Sequence, residues 1–112
     1  MTTAKADAEL IYSTLDDPDL EELVEMFIQE LPARLVQLCT SAAASDWAAV
    51  GRLAHQLKGA GGSYGFRQLS VRAGALEHAA KHDGGQTAIQ QLLNELADLS
   101  LRLRAAAVPA RD

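Results

Sequence analysis

The segment from Ala54 to Gly65, AHQLKGAGGSYG, carries the residue types best suited to chemistry. On a helix, at about 100° per residue, four of its residues share one face at positions i, i+3, i+4 and i+7: His55, Lys58, Gly59 and Gly62. A glycine inside a helix costs up to about 1 kcal/mol relative to alanine, so each one there needs a reason. Missing side chains expose the imidazole of His55 to another protein's backbone, and Lys58 places a positive charge beside whatever the imidazole carries. This face therefore fits an anion such as a phosphoryl group.

The surrounding sequence predicts helices. Ala, Leu, Gln, Glu and Arg dominate, whereas β-branched and aromatic residues are sparse. We predict a short helix over about residues 6–14, stopped by Asp16-Asp17-Pro18. A second helix follows, with apolar residues spaced by threes and fours to about Ala43, and Pro32 is expected to kink or divide it.

Three further helices complete the prediction. Ser45 is the expected N-cap of the third helix, which ends near residues 61–62. The fourth covers about residues 66–82 and is closed by the glycine pair at 84–85, and the last covers about residues 87–106. Four long amphipathic helices joined by short loops are most simply packed as an antiparallel four-helix bundle. The predicted fold is therefore all-α: that bundle with a short additional N-terminal helix.

Length and composition fit one domain. The 112 residues are 48% hydrophobic and 22% charged, and a chain of this length builds one core, not two. We therefore expect a single domain over residues 1–112, with a core over about residues 10–105, and no multidomain enzyme. No apolar run approaches the roughly 20 residues of a membrane helix, and the first residues do not resemble a secretory signal, so a cytoplasmic protein is expected. Met1 suggests a free-standing chain, although an excised domain would look the same.

Charge and cysteine content exclude further classes. The formal net charge of −5 argues against a nucleic-acid-binding protein. Residues 1–30 hold nine acids against one base, whereas residues 51–81 hold five bases against one acid, Glu77. The central segment is thus locally basic. Cys39 is the only cysteine, so neither an internal disulfide nor a cysteine-based zinc site is available.

The chain resembles the histidine-containing phosphotransfer (HPt) domain, whose motif reads His-x-Leu-Lys-Gly followed by small residues and a further glycine. The central match is His55-Gln56-Leu57-Lys58-Gly59. The wider resemblance covers about residues 10–105 and includes Phe27-Ile28-Gln29-Glu30-Leu31-Pro32, Ser45-Asp46-Trp47, Gly62, Gly65, Leu69 and Leu76-Glu77.

This resemblance implies that His55 is phosphorylated in a multistep histidine–aspartate relay. Such domains take the phosphoryl group from the aspartate of one response-regulator receiver domain and pass it to another, downstream of a hybrid sensor histidine kinase. The receiver brings Mg²⁺, so we expect no metal or cofactor in this protein. Because the chain has no GxxxxGK[ST] nucleotide loop, we expect a phosphocarrier rather than an enzyme. We also expect a monomer that binds neither nucleic acid nor membrane.

A histidine that attacks phosphorus needs one ring nitrogen free and the other protonated. Glu77 lies 22 positions after His55, which an antiparallel helix pair could place opposite it, and HPt-like domains often carry Glu or Gln at the equivalent position. We predict that Nδ1–H donates to Glu77 and that Nε2 attacks; the alternative is that Glu77 is a solvated helix acid. Lys58 is expected to hydrogen-bond a phosphoryl oxygen, the alternative being a solvated lysine.

Five more residues are candidates for supporting roles. Gly59 and Gly62 are assigned to steric access, with tight helix packing as the alternative. Ser63 either contacts the phosphoryl group or caps the following helix. Arg67 and Arg72 are expected to steer an acidic receiver pocket toward the site, with plain surface arginines as the alternative.

His78 and His82 are spaced i, i+4 on one predicted helix face, a spacing that can hold a metal. Only Glu77 or Asp83 could supply a third ligand, so we expect a surface pair.

Two other functions stay open at this point. One is a kinase-substrate phosphorylation domain of the chemotaxis-kinase type, which an ATP-binding kinase domain would phosphorylate directly. The other is a non-catalytic helical module that docks a receiver or another helical protein.

Overall fold

Four helices make up most of the part of the chain that the structure describes. The computed structural model describes residues 9–82 and 84–105. The helices are α1 (Glu21–Ala43), α2 (Trp47–Ser63), α3 (Arg67–Lys81) and α4 (Gln86–Ser100). These bounds confirm the mostly helical prediction and its four long helices.

The start of α1 follows from local capping. Asp17 accepts a hydrogen bond from the Asp19 amide at 2.9 Å and caps a single 3-10 turn, Pro18–Leu20, that leads directly into the helix. Acidic residues in the first turn of α1 suit the positive end of the helix dipole. Pro32 does not divide α1, which continues for 23 residues. It is exposed, so the ring faces solvent while the buried neighbour Leu31 holds the helix on the core.

The N-terminal segment differs from the prediction. Residues 9–14 are not helical: β1 (Ile11–Tyr12) pairs in parallel with β2 (Leu103–Arg104). The predicted helix over 6–14 is therefore wrong over residues 9–14, and residues 6–8 lie outside the described residues. The competing interaction is long-range, because the Ile11 amide donates to the Arg102 carbonyl at 2.7 Å.

The same pairing shortens the last helix. A helix running to about residue 106 is expected from the apolar spacing, whereas α4 ends at Ser100 and the chain turns into β2. Leu103 is fully buried there, so the extended segment keeps the apolar contact that the helix was expected to make.

The α1–α2 connection also corrects an expectation. Ser45 is not the N-cap of α2. It has φ of 57°, in the left-handed region, and allows a tight reversal after α1. Asp46 is the cap, since its carboxylate accepts a hydrogen bond from the Ala49 amide at 3.1 Å.

The core is formed by one apolar side of each helix. Its largest fully buried side chains are Phe66, Leu31, Leu38, Leu57, Leu69, Leu76, Leu96, Leu99, Leu103, Val24 and Val50. Burial of each such side chain contributes about 1.5–3 kcal/mol, so the bundle rests mainly on these contacts. Leu23 and Val71 have helical spacing that predicts burial, yet both are about half exposed, at 47% and 53%.

Helices α2 and α3 form the closest pair and run in opposite directions. Near the connecting turn, a Cβ on Gly61 would lie 3.2 Å from the Ser70 amide nitrogen, so glycine lets the two backbones approach closely. One turn further from the loop, the Ser70 hydroxyl donates to the Lys58 carbonyl at 2.9 Å. At the far end, Gly51 lies beside Lys81. This register brings the middle of α2 opposite the second half of α3.

The α2–α3 turn is held from two sides. Gly65 has φ of +84°, and its carbonyl accepts a hydrogen bond from the Thr14 amide at 3.0 Å. On the α1 side, the Phe27 ring stacks on Tyr64 with centroids 4.9 Å apart. The turn is therefore fixed between the N-terminal segment and α1, which fixes the end of the helix pair.

Candidate functional site

His55 presents an imidazole at the surface of the α2–α3 pair. Its side chain is 65% exposed, and Nδ1 lies 3.0 Å from Oε2 of Glu77 on α3. An ionised carboxylate can only accept hydrogen bonds, so Nδ1 of the neutral ring carries the proton and Nε2 carries the lone pair. No hydrogen-bond partner of Nε2 is found among the described residues. The contact that the spacing of His55 and Glu77 predicts is present.

Glu77 is the buried centre of this group. It is 7% exposed and contacts two lysines besides His55: Lys81 Nζ lies 2.7 Å from Oε2, and Lys58 Nζ lies 3.1 Å from Oε1. The hydrogen bond from Lys81, followed by that from Lys58, lowers the pKa of Glu77 to about 2, against burial, which raises it. The carboxylate therefore stays ionised near neutral pH and acts as an acceptor, not as a base that would remove the ring proton.

Each lysine crosses a glycine on the opposite helix. A Cβ on Gly74 of α3 would lie 3.1 Å from Cδ of Lys58, and a Cβ on Gly51 of α2 would lie 3.6 Å from Cγ of Lys81. The two lysine stems thus flank the contact between His55 and Glu77, one on each side along the helix pair. The absence of a side chain at Gly74 leaves open the path that Lys58 needs to reach the carboxylate.

The glycines that follow His55 differ in their surroundings. A Cβ on Gly59 would meet nothing within 4 Å, so the surface one helical turn after His55 is open. A Cβ on Gly62 would lie 3.7 Å from the Ser70 hydroxyl, an ordinary packing distance. Open space thus favours the access role for Gly59, while Gly62 lies next to α3.

The remaining predicted residues have other surroundings. Ser63 is the exposed last residue of α2, and it does not cap α3, whose N-cap is Phe66. Arg67 is exposed at the first position of α3, ten residues before Glu77, which is about 15 Å along a helix. Arg72 is paired with Glu95 of α4, with 3.4 Å between Nε and Oε1.

A comparison with protein-family models gives one decisive match. The family described as Hpt domain matches residues 22–106. The chain belongs to the Hpt domain family. The match covers α1 from its second residue and all of α2, α3 and α4, and it therefore contains His55 and every residue in contact with it. Neither the curated proteins nor the solved structures contain a significant match.

Membership in this family has a direct functional meaning. Hpt domains carry a phosphoryl group on histidine within phosphorelays, act as phosphocarriers rather than enzymes in general, and typically interact with receiver domains and kinases. His55 lies within the matched residues.

The other histidines of the Hpt domain form a separate surface pair. The His78 and His82 rings lie 4.3 Å apart between centroids near the end of α3. Within residues 9–82 and 84–105, no three His, Cys, Asp or Glu side chains converge as metal ligands would. Asp83, the other ligand considered for this pair, lies outside the described residues. None of the helices in those residues has the length and apolarity needed to cross a membrane.

Sequence reasoning missed Lys81, Gly51 and Gly74 as parts of this site. Lys81 entered only as one base of the central segment. Its position four residues after Glu77 is the signal that could have found it, because residues i and i+4 on a helix are neighbours. The two glycines carry no such local signal, because their partners lie on the opposite helix.

Proposed function

We propose that this Hpt domain is an intermediate in a multistep phosphorelay, accepting a phosphoryl group on Nε2 of His55 from a receiver-domain aspartate and passing it to a second receiver. The observation that carries the proposal is the orientation of the ring: Nδ1 lies 3.0 Å from Glu77 while the side chain is 65% exposed. The nucleophilic nitrogen is thereby selected before any partner binds.

The chemistry follows from that orientation. The Nε2 lone pair attacks phosphorus, the N–P bond forms, and the P–O bond to the donor aspartate breaks to release its carboxylate. The proton on Nδ1 stays in place, so the ring becomes a phosphoimidazolium with a positive charge. Glu77, held ionised by two lysines, lies against that charge and stabilises it. Transfer to the second receiver reverses these steps, and neutral imidazole is the leaving group.

Lys58 supplies charge compensation for the phosphoryl group. It lies one turn after His55 on α2, its side chain is 43% exposed, and its 3.1 Å contact with Glu77 leaves it within reach of a group on the same face. A charge-assisted hydrogen bond from its ammonium to a phosphoryl oxygen fits this position. The open surface at Gly59 gives the receiver's backbone room to approach.

The proposed partners supply the metal ion and the source of phosphate that this chain is expected to lack. A receiver domain brings Mg²⁺ with its aspartate, so the proposal assigns no cofactor to the Hpt domain. A hybrid sensor histidine kinase is the proposed source of phosphate, because the chain has no nucleotide loop. We place Arg67 rather than Arg72 in receiver steering, because Arg72 already pairs with Glu95. We also propose that the protein is a cytoplasmic monomer and that all neighbouring helices of its bundle are antiparallel.

Phosphotransfer from a panel of phosphorylated receiver domains with Mg²⁺ tests this function. Acid-labile, base-stable phosphate should appear on the wild type and be absent from His55→Gln, with helix content unchanged. Labelling by an isolated kinase core but by no receiver would favour a kinase-substrate domain instead. Binding of receivers and signalling that survive His55→Gln would favour a docking module.

A further inference from the structure

Glu77 contacts two lysines, but the proposed transfer needs one of them at the phosphoryl group. We propose that Lys81 is a positioning residue that keeps Glu77 in place and charge-compensated while Lys58 moves from Glu77 to the phosphoryl oxygens. This inference rests on the function proposed above, and it divides the two cations of the site into a fixed one and a mobile one.

The contacts favour Lys81 as the fixed cation. Lys81 Nζ lies 2.7 Å from Oε2, whereas Lys58 Nζ lies 3.1 Å from Oε1. Lys81 is also four residues after Glu77 on the same helix, so this contact does not depend on the position of α2. Lys58 comes from α2, the helix of His55, and can turn toward His55 without a change in α3.

The two lysines also use different oxygens of Glu77. Lys81 shares Oε2 with Nδ1 of His55, while Lys58 is on Oε1 alone. Departure of Lys58 therefore leaves the oxygen that orients the imidazole fully bonded. Departure of Lys81 instead would remove a donor from that same oxygen and free the carboxylate to turn about its last torsion.

Charge gives the physical reason for a second lysine. Glu77 is almost buried, and a buried carboxylate without a partner is strongly unfavourable. With Lys58 alone, the cation would have to choose between Glu77 and the phosphoryl group. With Lys81 present, Glu77 keeps one ammonium after Lys58 leaves, and the added phosphoryl charge is met by Lys58 and the phosphoimidazolium ring.

The stem of Lys81 lies along α2 beside Gly51. Its Cγ and Cε lie 3.6 and 3.8 Å from the position of a Cβ on Gly51. The Lys81 side chain is 58% exposed, against 43% for Lys58, so its fixed role rests on the contact with Oε2 and on the i, i+4 spacing rather than on burial of the stem. Methionine at this position retains an apolar stem beside Gly51 and removes the charge, which makes Lys81→Met the informative variant.

A double-mutant cycle with a small phosphodonor tests the division of roles. The full-length protein is phosphorylated by phosphoramidate with Mg²⁺, and the rate of His55 labelling is compared for wild type, Lys58→Met, Lys81→Met and the double variant. We expect Lys81→Met to lower the rate about tenfold when Lys58 is present, and at least as much when Lys58 is already methionine, because Glu77 then keeps no lysine. Lys81→Arg keeps a cation and should restore most of the rate.

Two further measurements separate this role from a structural one. Arg52→Met removes another exposed cation of α2 that makes no ion pair with Glu77, and its effect should be independent of Lys58. Urea denaturation identifies any variant that fails to fold. If Lys81→Met fails to fold, the labelling rate of Lys81→Arg decides whether a cation at this position supports phosphorylation.

Each result has one meaning. An unchanged rate in Lys81→Met in both backgrounds, or a loss that Lys81→Arg does not restore, overturns the role of Lys81 while leaving the phosphocarrier function intact. Absence of label on folded wild-type protein, from phosphoramidate and from receivers alike, overturns the proposed function and this inference together.

Discussion

Nδ1 of His55 lies 3.0 Å from Oε2 of Glu77, and the contact joins residues 22 positions apart on two antiparallel helices. The short α2–α3 turn sets the register of this pair, and the register brings the imidazole to the carboxylate. In the proposed transfer, the identity of the attacking nitrogen is therefore a consequence of helix packing, although the chemistry itself belongs to the imidazole.

Removal of the Glu77 carboxylate should impair phosphorylation without unfolding the helices. Glu77→Ala takes away the acceptor on Nδ1 and leaves Lys58 and Lys81 facing each other. We expect His55 labelling to slow about tenfold to a hundredfold, the range of one charge-assisted hydrogen bond. Glu77→Gln keeps an acceptor oxygen, so its labelling rate should lie between those of Glu77→Ala and the wild type. Nitrogen-15 NMR of the His55 ring gives the tautomer directly, and an unchanged tautomer in Glu77→Ala would contradict the assigned role.

Acid should weaken the fold through the same carboxylate. The pKa of Glu77 falls from its ordinary 4.5 to about 2, first because of Lys81 and then because of Lys58. A lowered pKa in the folded state stabilises the protein above the unfolded value, and this contribution is lost as pH falls through the folded one. The free energy of unfolding should therefore decrease between pH 4.5 and about 2.

Glu77→Gln is the matched control for this pH dependence. It removes the titrating group but retains the side-chain volume, so its stability should fall less steeply with acid over the same window. Urea denaturation at several pH values measures both slopes. Equal slopes for the two proteins would show that other carboxylates cause the acid effect.

Local spacing was enough to predict part of the molecule. The four long helices follow from apolar residues at threes and fours, and the face shared by His55, Lys58 and Gly59 follows from helix geometry alone. The contact with Glu77 needed one more assumption, that α2 and α3 are antiparallel neighbours. These features share a property: each depends on residues close in sequence or joined by one short turn.

The features that were missed depend on distant partners. Ile11 and Tyr12 are extended because they pair with Leu103 and Arg104 at the other end of the chain, and no local pattern contains that information. Gly51 also lacks a local signal, because its proximity to Lys81 arises only when α3 packs against α2. Long-range register, not helix propensity, thus limited the prediction of the site.

A larger side chain at Gly59 should block partners but not small donors. Because a Cβ there meets nothing within 4 Å, Gly59→Ala should stabilise α2, by up to about 1 kcal/mol from helix propensity. Gly59→Leu projects a branched side chain beside His55 and should slow transfer from a receiver at least tenfold, while labelling by phosphoramidate changes little. Equal slowing with both donors would mean that the substitution disturbs His55 itself.

Gly65 offers the clearest test of how the α2–α3 turn is held. It has φ of +84°, and a Cβ there would lie 2.5 Å from the Ser13 hydroxyl and 2.7 Å from the Thr14 amide nitrogen. Gly65→Ala must therefore adopt a strained backbone and also displace the N-terminal segment from the turn. We expect a loss of about 2–4 kcal/mol in the free energy of unfolding, measured by urea denaturation.

Gly85 provides the control, because it has φ of +90° with nothing within 4 Å of a Cβ. Gly85→Ala meets the backbone strain of φ 90° and ψ 151° without the clash, so its loss should be smaller than that of Gly65→Ala, within about 1–3 kcal/mol. The difference between the two variants isolates the contact with Ser13 and Thr14. If both alanine variants lose the same stability, the N-terminal segment does not hold the turn, and the register of His55 with Glu77 is set by the α2–α3 contacts alone.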